Sequence, residues 1–223
     1  MGEPGPSRFD DPAGLFVVRY LATHLQGCMI ELLARFRDNE AADNRVAQVQ
    51  NVEPEDVALD ADGAESKAEG IRVYLAKQSV VRVYVAGEVP IVRINDAATL
   101  GHLNTHPLVR SALDASGLGT PQGPAELDGG TIRLKGEAGR MITQAVSRAV
   151  YEGDARPGGL RYFSRLDDTQ ECWALFDRVT VEFENQQQLT SEDPDHRAAT
   201  ARAATTLSVE LPREWTDPPE ASR

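Results

Sequence analysis

The sequence is poor in the residues that staple or metallate a fold. Two cysteines and four histidines are spread over 223 residues. Cys28 and Cys172 both sit among apolar neighbours, which fits buried thiols better than a disulfide or a thiolate metal site. His24, His102, His106 and His196 share no ligand spacing with Asp, Glu or Cys. His102 and His106 stand four apart, but Asn104 and Pro107 interrupt a regular helix there, so no metal is expected. The sequence has no Gly-x-Ser-x-Gly elbow and no glycine-rich phosphate loop of either common type. No apolar run reaches the roughly 20 residues that span a bilayer, so no membrane partner is expected. The opening MGEPGPSRFDDP lacks the basic-then-apolar pattern of a signal peptide, and the cytoplasm is the expected compartment. Positive charge is scarce as well. Lys and Arg number 23 against 35 Asp and Glu, a net charge of −12. Such a field does not attract phosphate, so direct nucleic-acid binding is not expected. An anionic ligand must be held by local arginines.

What is present is an ordinary globular composition, 41% hydrophobic and 26% charged. That suffices for a core without a metal or a disulfide. The length admits one larger domain or two small ones. The Gly/Pro-rich start, Met1 to Ser7, forms no regular element. Leu15 to Ala22 reads as a strand and Thr23 as the cap of a helix running to about Arg37. The apolar face of that helix is Leu25, Met29, Leu32, Leu33 and Phe36, and Glu31 falls inside the run Cys28 to Leu33. Asp38 to Gln78 is acidic with scattered Val and Leu, and reads as an exposed insertion or irregular segment. Ser79 to Ile94 is the strongest strand pattern, broken in two at Gly87 and Glu88.

Asp96 opens a short helix, and Leu108 to Leu113 adds a further helical turn or two. Gly117 to Gly130 reads as loop, and Thr131 to Leu134 as a short strand or loop edge. Glu137 to Tyr151 is a clear amphipathic helix. Leu160 to Phe163, Glu171 to Phe176 and Val179 to Phe183 read as strands, the last an edge. His196 to Thr206 has helical composition without a strong apolar face. From about Leu211 a disordered tail is expected. Short strands mixed with helices favour an α+β fold over a doubly wound parallel sheet.

Four residues remain as candidates for chemistry: Arg8, Tyr20, Glu31 and Ser164. Each alone also has an ordinary role open to it. Arg8 can pair with Asp10 or Asp11, Tyr20 can fill a core, Glu31 can pair with Arg35 one turn on, and Ser164 can close a turn. Their context says more. The run SRFDDPAGLFVVRYLATHLQGCMIELLARFR resembles the opening motif of the RES domain. There an arginine in an RF context precedes a "YLA" strand, and a helix with an inward glutamate follows. The run GLRYFSRLDDTQECWALF resembles the closing motif, a serine in a Y-x-S-R context followed by "CWALF". The two motifs span about 50 residues in the right order. Residue by residue, the arginine, glutamate and serine that name the family fall on Arg8, Glu31 and Ser164, with Tyr20 on the strand tyrosine.

The resemblance implies a single RES-like domain over residues 1–190, with 38–78 as an acidic insertion and 191–223 as a C-terminal helix and tail. It implies an ADP-ribosyltransferase-like fold, mixed sheets with flanking helices. It implies NAD as substrate and membership in bacterial toxin–antitoxin pairs, the partner being a small helix-turn-helix antitoxin that covers the active site. A homodimer is compatible with it. The expected activity is cleavage of the nicotinamide–ribose bond by hydrolysis or phosphorolysis. The alternatives are a protein ADP-ribosyltransferase and a non-catalytic NAD-binding or partner-binding module. The residue types suit this chemistry. A carboxylate near the ribose stabilises an oxocarbenium-like state, the part for Glu31. An arginine fork suits a pyrophosphate, the part for Arg8. The ring of Tyr20 can stack on nicotinamide, and the Ser164 hydroxyl can fix an amide or ribose oxygen.

Overall fold

The computed structural model describes residues 7–37, 61–120, 123 and 125–216, with the backbone alone at 61–66. The class is mixed α/β, as expected. Strands β1 (Val18–Ala22), β2 (Ser79–Val85), β3 (Ile91–Arg93), β4 (Gly159–Phe163), β5 (Glu171–Phe176) and β6 (Val181–Gln188) form two sheets. The chain divides into two compact units. One comprises Met1–Thr23 and Val83–Glu182, the other His24–Arg82 and Phe183–Arg223.

The first unit is built on a four-stranded sheet in the order β1-β5-β4-β3. The β1/β5 and β5/β4 pairs are antiparallel, with Tyr20 opposite Ala174 and Leu160 opposite Ala174. The β3/β4 pair is parallel, with Ile91 opposite Gly159. A parallel pair needs a long crossover. It is supplied by helices α3 (Ala97–Asn104), α4 (Pro107–Ala115), α5 (Gly129–Arg133) and α6 (Gly136–Tyr151). Helix α6 packs Ile142, Val146, Ala149 and Val150 into one core with Leu160, Tyr162, Cys172, Ala174 and Phe176 of the sheet. Phe16 stacks on Tyr151 with centroids 4.2 Å apart, and Phe176 meets both rings edge-on at 5.0 and 5.2 Å.

The second unit is helical apart from its shares of β2 and β6. Helix α1 (Leu25–Leu33) buries Gly27, Met29, Ile30 and Leu33 and packs on α7 (Pro194–Leu207), which buries Ala199, Ala203, Ala204 and Leu207. Helix α2 (Ala61–Leu75) buries Ile71 and Leu75, and Arg72 reaches Glu214 of the short α8 (Arg213–Thr216), where Trp215 is buried.

Several elements differ from the sequence reading. Residues 61–75 form a helix inside the segment read as irregular; it buries Ile71 and Leu75, and Tyr74 packs on Phe36. The rest of that segment, 38–60, lies outside the described residues. Thr131 belongs to a helical turn, not a strand. Asp128 accepts from its N–H, and the Thr131 hydroxyl closes a capping box. Thr23 does not cap α1. Its hydroxyl bonds Glu171 and Trp173, and His24 takes the cap position. Trp215 is buried in α8, within the stretch read as tail. Residues 217–223 lie outside the described ones. Helix α7 has no strong apolar face, as expected; its buried residues are His196, Ala199, Thr200, Ala203, Ala204 and Leu207.

Two glycines test the packing. A Cβ at Gly159 would lie 2.4 Å from the Ala174 carbonyl oxygen, whereas one at Gly101, on an exposed turn of α3, meets nothing within 4 Å. Gly159→Ala is expected to destabilise the chain by about 1–3 kcal/mol. Gly101→Ala is expected to stabilise it by about 0.5–1 kcal/mol. Urea unfolding of the two variants checks the pair, and equal effects would contradict this packing.

Candidate functional site

The loop before β1 is where the candidate residues gather. From Ser7 to Asp11 its residues alternate. Ser7, Phe9 and Asp11 turn towards α6. The Ser7 carbonyl accepts from Gln144 Nε2 at 3.1 Å, the Phe9 carbonyl from the buried Ser147 hydroxyl at 2.7 Å, and Asp11 Oδ1 lies 3.9 Å from Arg148 Nη1. Asp11 is a buried carboxylate whose Oδ2 accepts from Leu15 N–H at 2.7 Å, closing the loop. Gly14, at φ +67°, makes the turn a side chain would resist.

Arg8 and Asp10 meet other partners. The half-buried Arg8 guanidinium donates to the Ile132 carbonyl. It lies 5.0 Å from the Phe9 ring centroid and 5.4 Å from that of Tyr162. Its orientation is therefore set by one carbonyl and two rings. Tyr20 ties the loop to the sheet. Its hydroxyl accepts from Phe9 N–H and donates to Asp10 Oδ1, both at 2.9 Å. The hydroxyl end is enclosed although the residue is 41% exposed overall. Enclosure, and then the Asp10 charge beside it, pushes the Tyr20 pKa well above the ordinary tyrosine value. This phenol stays neutral and moves no proton at any working pH, but its ring is open to a ligand.

Ser164 follows β4 and is fully buried. Its hydroxyl accepts from Leu166 N–H at 3.1 Å and its N–H donates to the Gln170 carbonyl at 2.9 Å, so it closes the turn between β4 and β5. Its carbonyl accepts from Arg133 Nη2 at 3.3 Å, while Arg133 Nη1 pairs with Asp168 at 3.1 Å. Helix α5 thus links the two motifs: Ile132 takes Arg8, and the next residue, Arg133, takes Ser164.

The structure thus brings Arg8, Tyr20 and Ser164 into one set of contacts in the first unit. Glu31 belongs to the second unit, on α1, one position past the buried Ile30, and its side chain is exposed rather than turned into the helix core. Sequence reasoning missed Gln144, Ser147 and Arg148. They share one face of α6, but nothing in their types marks them as partners of a loop some 137 residues away. It also missed Arg133 and Asp168. Among the described residues no group of three or more His, Cys, Asp or Glu is placed to hold a metal, and no helix is long and apolar enough to cross a membrane. Comparison with protein-family models, with curated proteins and with solved structures yields no match.

The caps around α5 make this region acid-sensitive. Asp128 is held below its ordinary pKa of 3.8 by the Thr131 N–H it accepts, and Asp168 is held below it by the Arg133 guanidinium. A carboxylate depressed in the folded state adds stability above its unfolded pKa, and that stability is lost as pH falls through the folded value. Asp128→Ala is therefore expected to cost about 1 kcal/mol at pH 7. The gap from the unsubstituted chain should narrow progressively below pH 4. Urea unfolding of both proteins between pH 7 and pH 3 checks this; a gap independent of pH would contradict it.

Proposed function

We propose that this chain cleaves the nicotinamide–ribose bond of NAD on an ADP-ribosyltransferase-like fold, as the toxin of a toxin–antitoxin pair. The observation that carries the reading is the meeting of two segments far apart in sequence. The Arg8 guanidinium lies beside the ring of Tyr162, two residues before Ser164, and α5 bonds both segments. These are the segments in which the RES resemblance resides. Arg8, with its charge fixed among rings, takes the pyrophosphate. Tyr20 offers the face of a ring whose hydroxyl is already committed, so stacking costs little further ordering. Ser164 holds the β4–β5 turn and belongs to the site as its support. The RES resemblance alone assigns Glu31 the carboxylate that stabilises positive charge at the ribose C1′.

The bond from C1′ to the pyridinium nitrogen breaks with its electron pair going to the ring, and neutral nicotinamide leaves. An oxygen of water or phosphate then bonds to C1′ and releases a proton. The products are ADP-ribose in the first case and its 1″-phosphate in the second. An acidic helix-turn-helix antitoxin would find little attraction in a chain of net charge −12, so the antitoxin surface that docks here is basic.

Incubating the full chain with NAD, with and without phosphate, and following free nicotinamide is the test. Release is expected from the unsubstituted chain, with Glu31→Gln slowing it about 10²–10³-fold. No release under either condition would sink the proposal. Labelled ADP-ribose accumulating on protein instead would replace hydrolysis by transfer. NAD binding without turnover, untouched by Glu31→Gln, would leave a binding module. A second substitution separates support from contact. Tyr20→Phe keeps the ring but frees the loop, and should cost about 1–2 kcal/mol of stability while retaining NAD affinity within about threefold. Tyr20→Ala should lose both.

A further inference from the structure

The sheet face opposite α6 carries a feature the NAD reading leaves unused. Alternate residues of a strand point to opposite faces. Cys172, Ala174 and Phe176 enter the core, so Glu171, Trp173 and Leu175 line the other side. There a cavity of about 660 Å³ opens against the β2–β3 connection. Its floor is Ile91, Trp173 and Leu175, and its lip runs from Val85 through Gly87, Glu88 and Val89 to Pro90. This volume is of the size that holds a small ligand, commonly about 300–1,000 Å³.

Three observations define the occupant. The indole is fixed in advance: Trp173 Nε1 donates to Thr23 Oγ1 at 2.9 Å, and the Arg161 guanidinium lies 5.4 Å from its ring. The lip has polar capacity to spare, because among the described residues no hydrogen bond engages the backbone of Gly87, Glu88 or Val89. The charge is wrong for an anion. Glu88 is the charged residue of the lining, and Arg161 is already neutralised by Glu171. An apolar floor with a preset aromatic ring and an unsatisfied peptide edge suits a flat ring with polar atoms on one side. We infer that this cavity binds a flat, uncharged heteroaromatic ring with an amide or amine edge. The ring lies on Trp173 and Leu175, and its edge meets the Gly87–Val89 backbone. Phosphate groups stay outside. A purine nucleoside and free nicotinamide both carry that chemistry. The site lies on the opposite sheet face from Tyr20 and stands or falls separately from NAD cleavage.

Titrating the full chain with adenosine, and separately with nicotinamide, tests it by tryptophan fluorescence and calorimetry. Trp215, buried in the other unit, serves as the internal reference. Saturable quenching is expected with at least one of the two rings, at a dissociation constant on the order of 1 mM. The ring that binds identifies the source. Trp173→Phe should abolish the quenching. Val89→Asp should weaken calorimetric binding at least about tenfold, with urea unfolding run alongside because Val89 packs on Gly158. Tyr20→Ala should leave the saturable Trp173 quenching in place. Saturation by neither ring would overturn the inference, as would binding indifferent to Val89→Asp.

Discussion

The Tyr20 hydroxyl is the constraint on which the motif loop depends. It accepts one backbone N–H, from Phe9, and donates to one carboxylate, Asp10. The Phe9 carbonyl is taken by the buried Ser147 hydroxyl. Both polar groups of that one peptide position are thus consumed, one by the sheet and one by α6. A loop clamped in this way at its middle residue has no freedom at the neighbours. Arg8 reaches α5 and shares the Tyr162 ring with Phe9. Net values of about 0.5–1.5 kcal/mol per hydrogen bond make no single contact decisive for the fold. Together they hold the loop against the sheet and α6, with the arginine on the Phe9 and Tyr162 rings.

The same logic accounts for an arginine site in an acidic protein. At −12 the overall field discourages phosphate, so any anion must be met by guanidinium groups whose direction is set locally. Arg8 and Arg133 both spend donors on main-chain carbonyls of the elements they bridge. That use orders the turns and keeps a positive charge in place without free movement of a long side chain. Arg161 is handled differently: Glu171 cancels it, and what it contributes to the far face is a rigid indole.

Much of the secondary structure was legible where apolar periodicity was strong. Helix α6, strands β4 and β5 and the break at Gly87 follow from their patterns. The pattern failed where packing depends on small or few residues. Alanines on α7 and the pair Ile71 and Leu75 on α2 carry weak hydrophobic signals, yet they are buried. The site was legible only as residue types in motif order. Arg8, Tyr20 and Ser164 can be named from the sequence, but their contacts cannot. Ser164 spends its hydroxyl on its own turn, Tyr20 spends its hydroxyl on the loop, and the α6 residues that hold that loop are ordinary Gln, Ser and Arg. Which polar group meets which backbone group is decided by the crossover through four helices, and no local pattern encodes it.

Hydrogen exchange of the Glu31→Gln chain with and without NAD measures the central claim most directly, because under the proposal that variant binds the dinucleotide and consumes it about 10²–10³-fold more slowly. The account predicts slower exchange on NAD addition at Phe9 through Tyr20. Exchange in the strands of the far sheet face should be unchanged. Unaltered exchange across the Arg8 loop at a saturating NAD concentration, or protection confined to other segments, would contradict it.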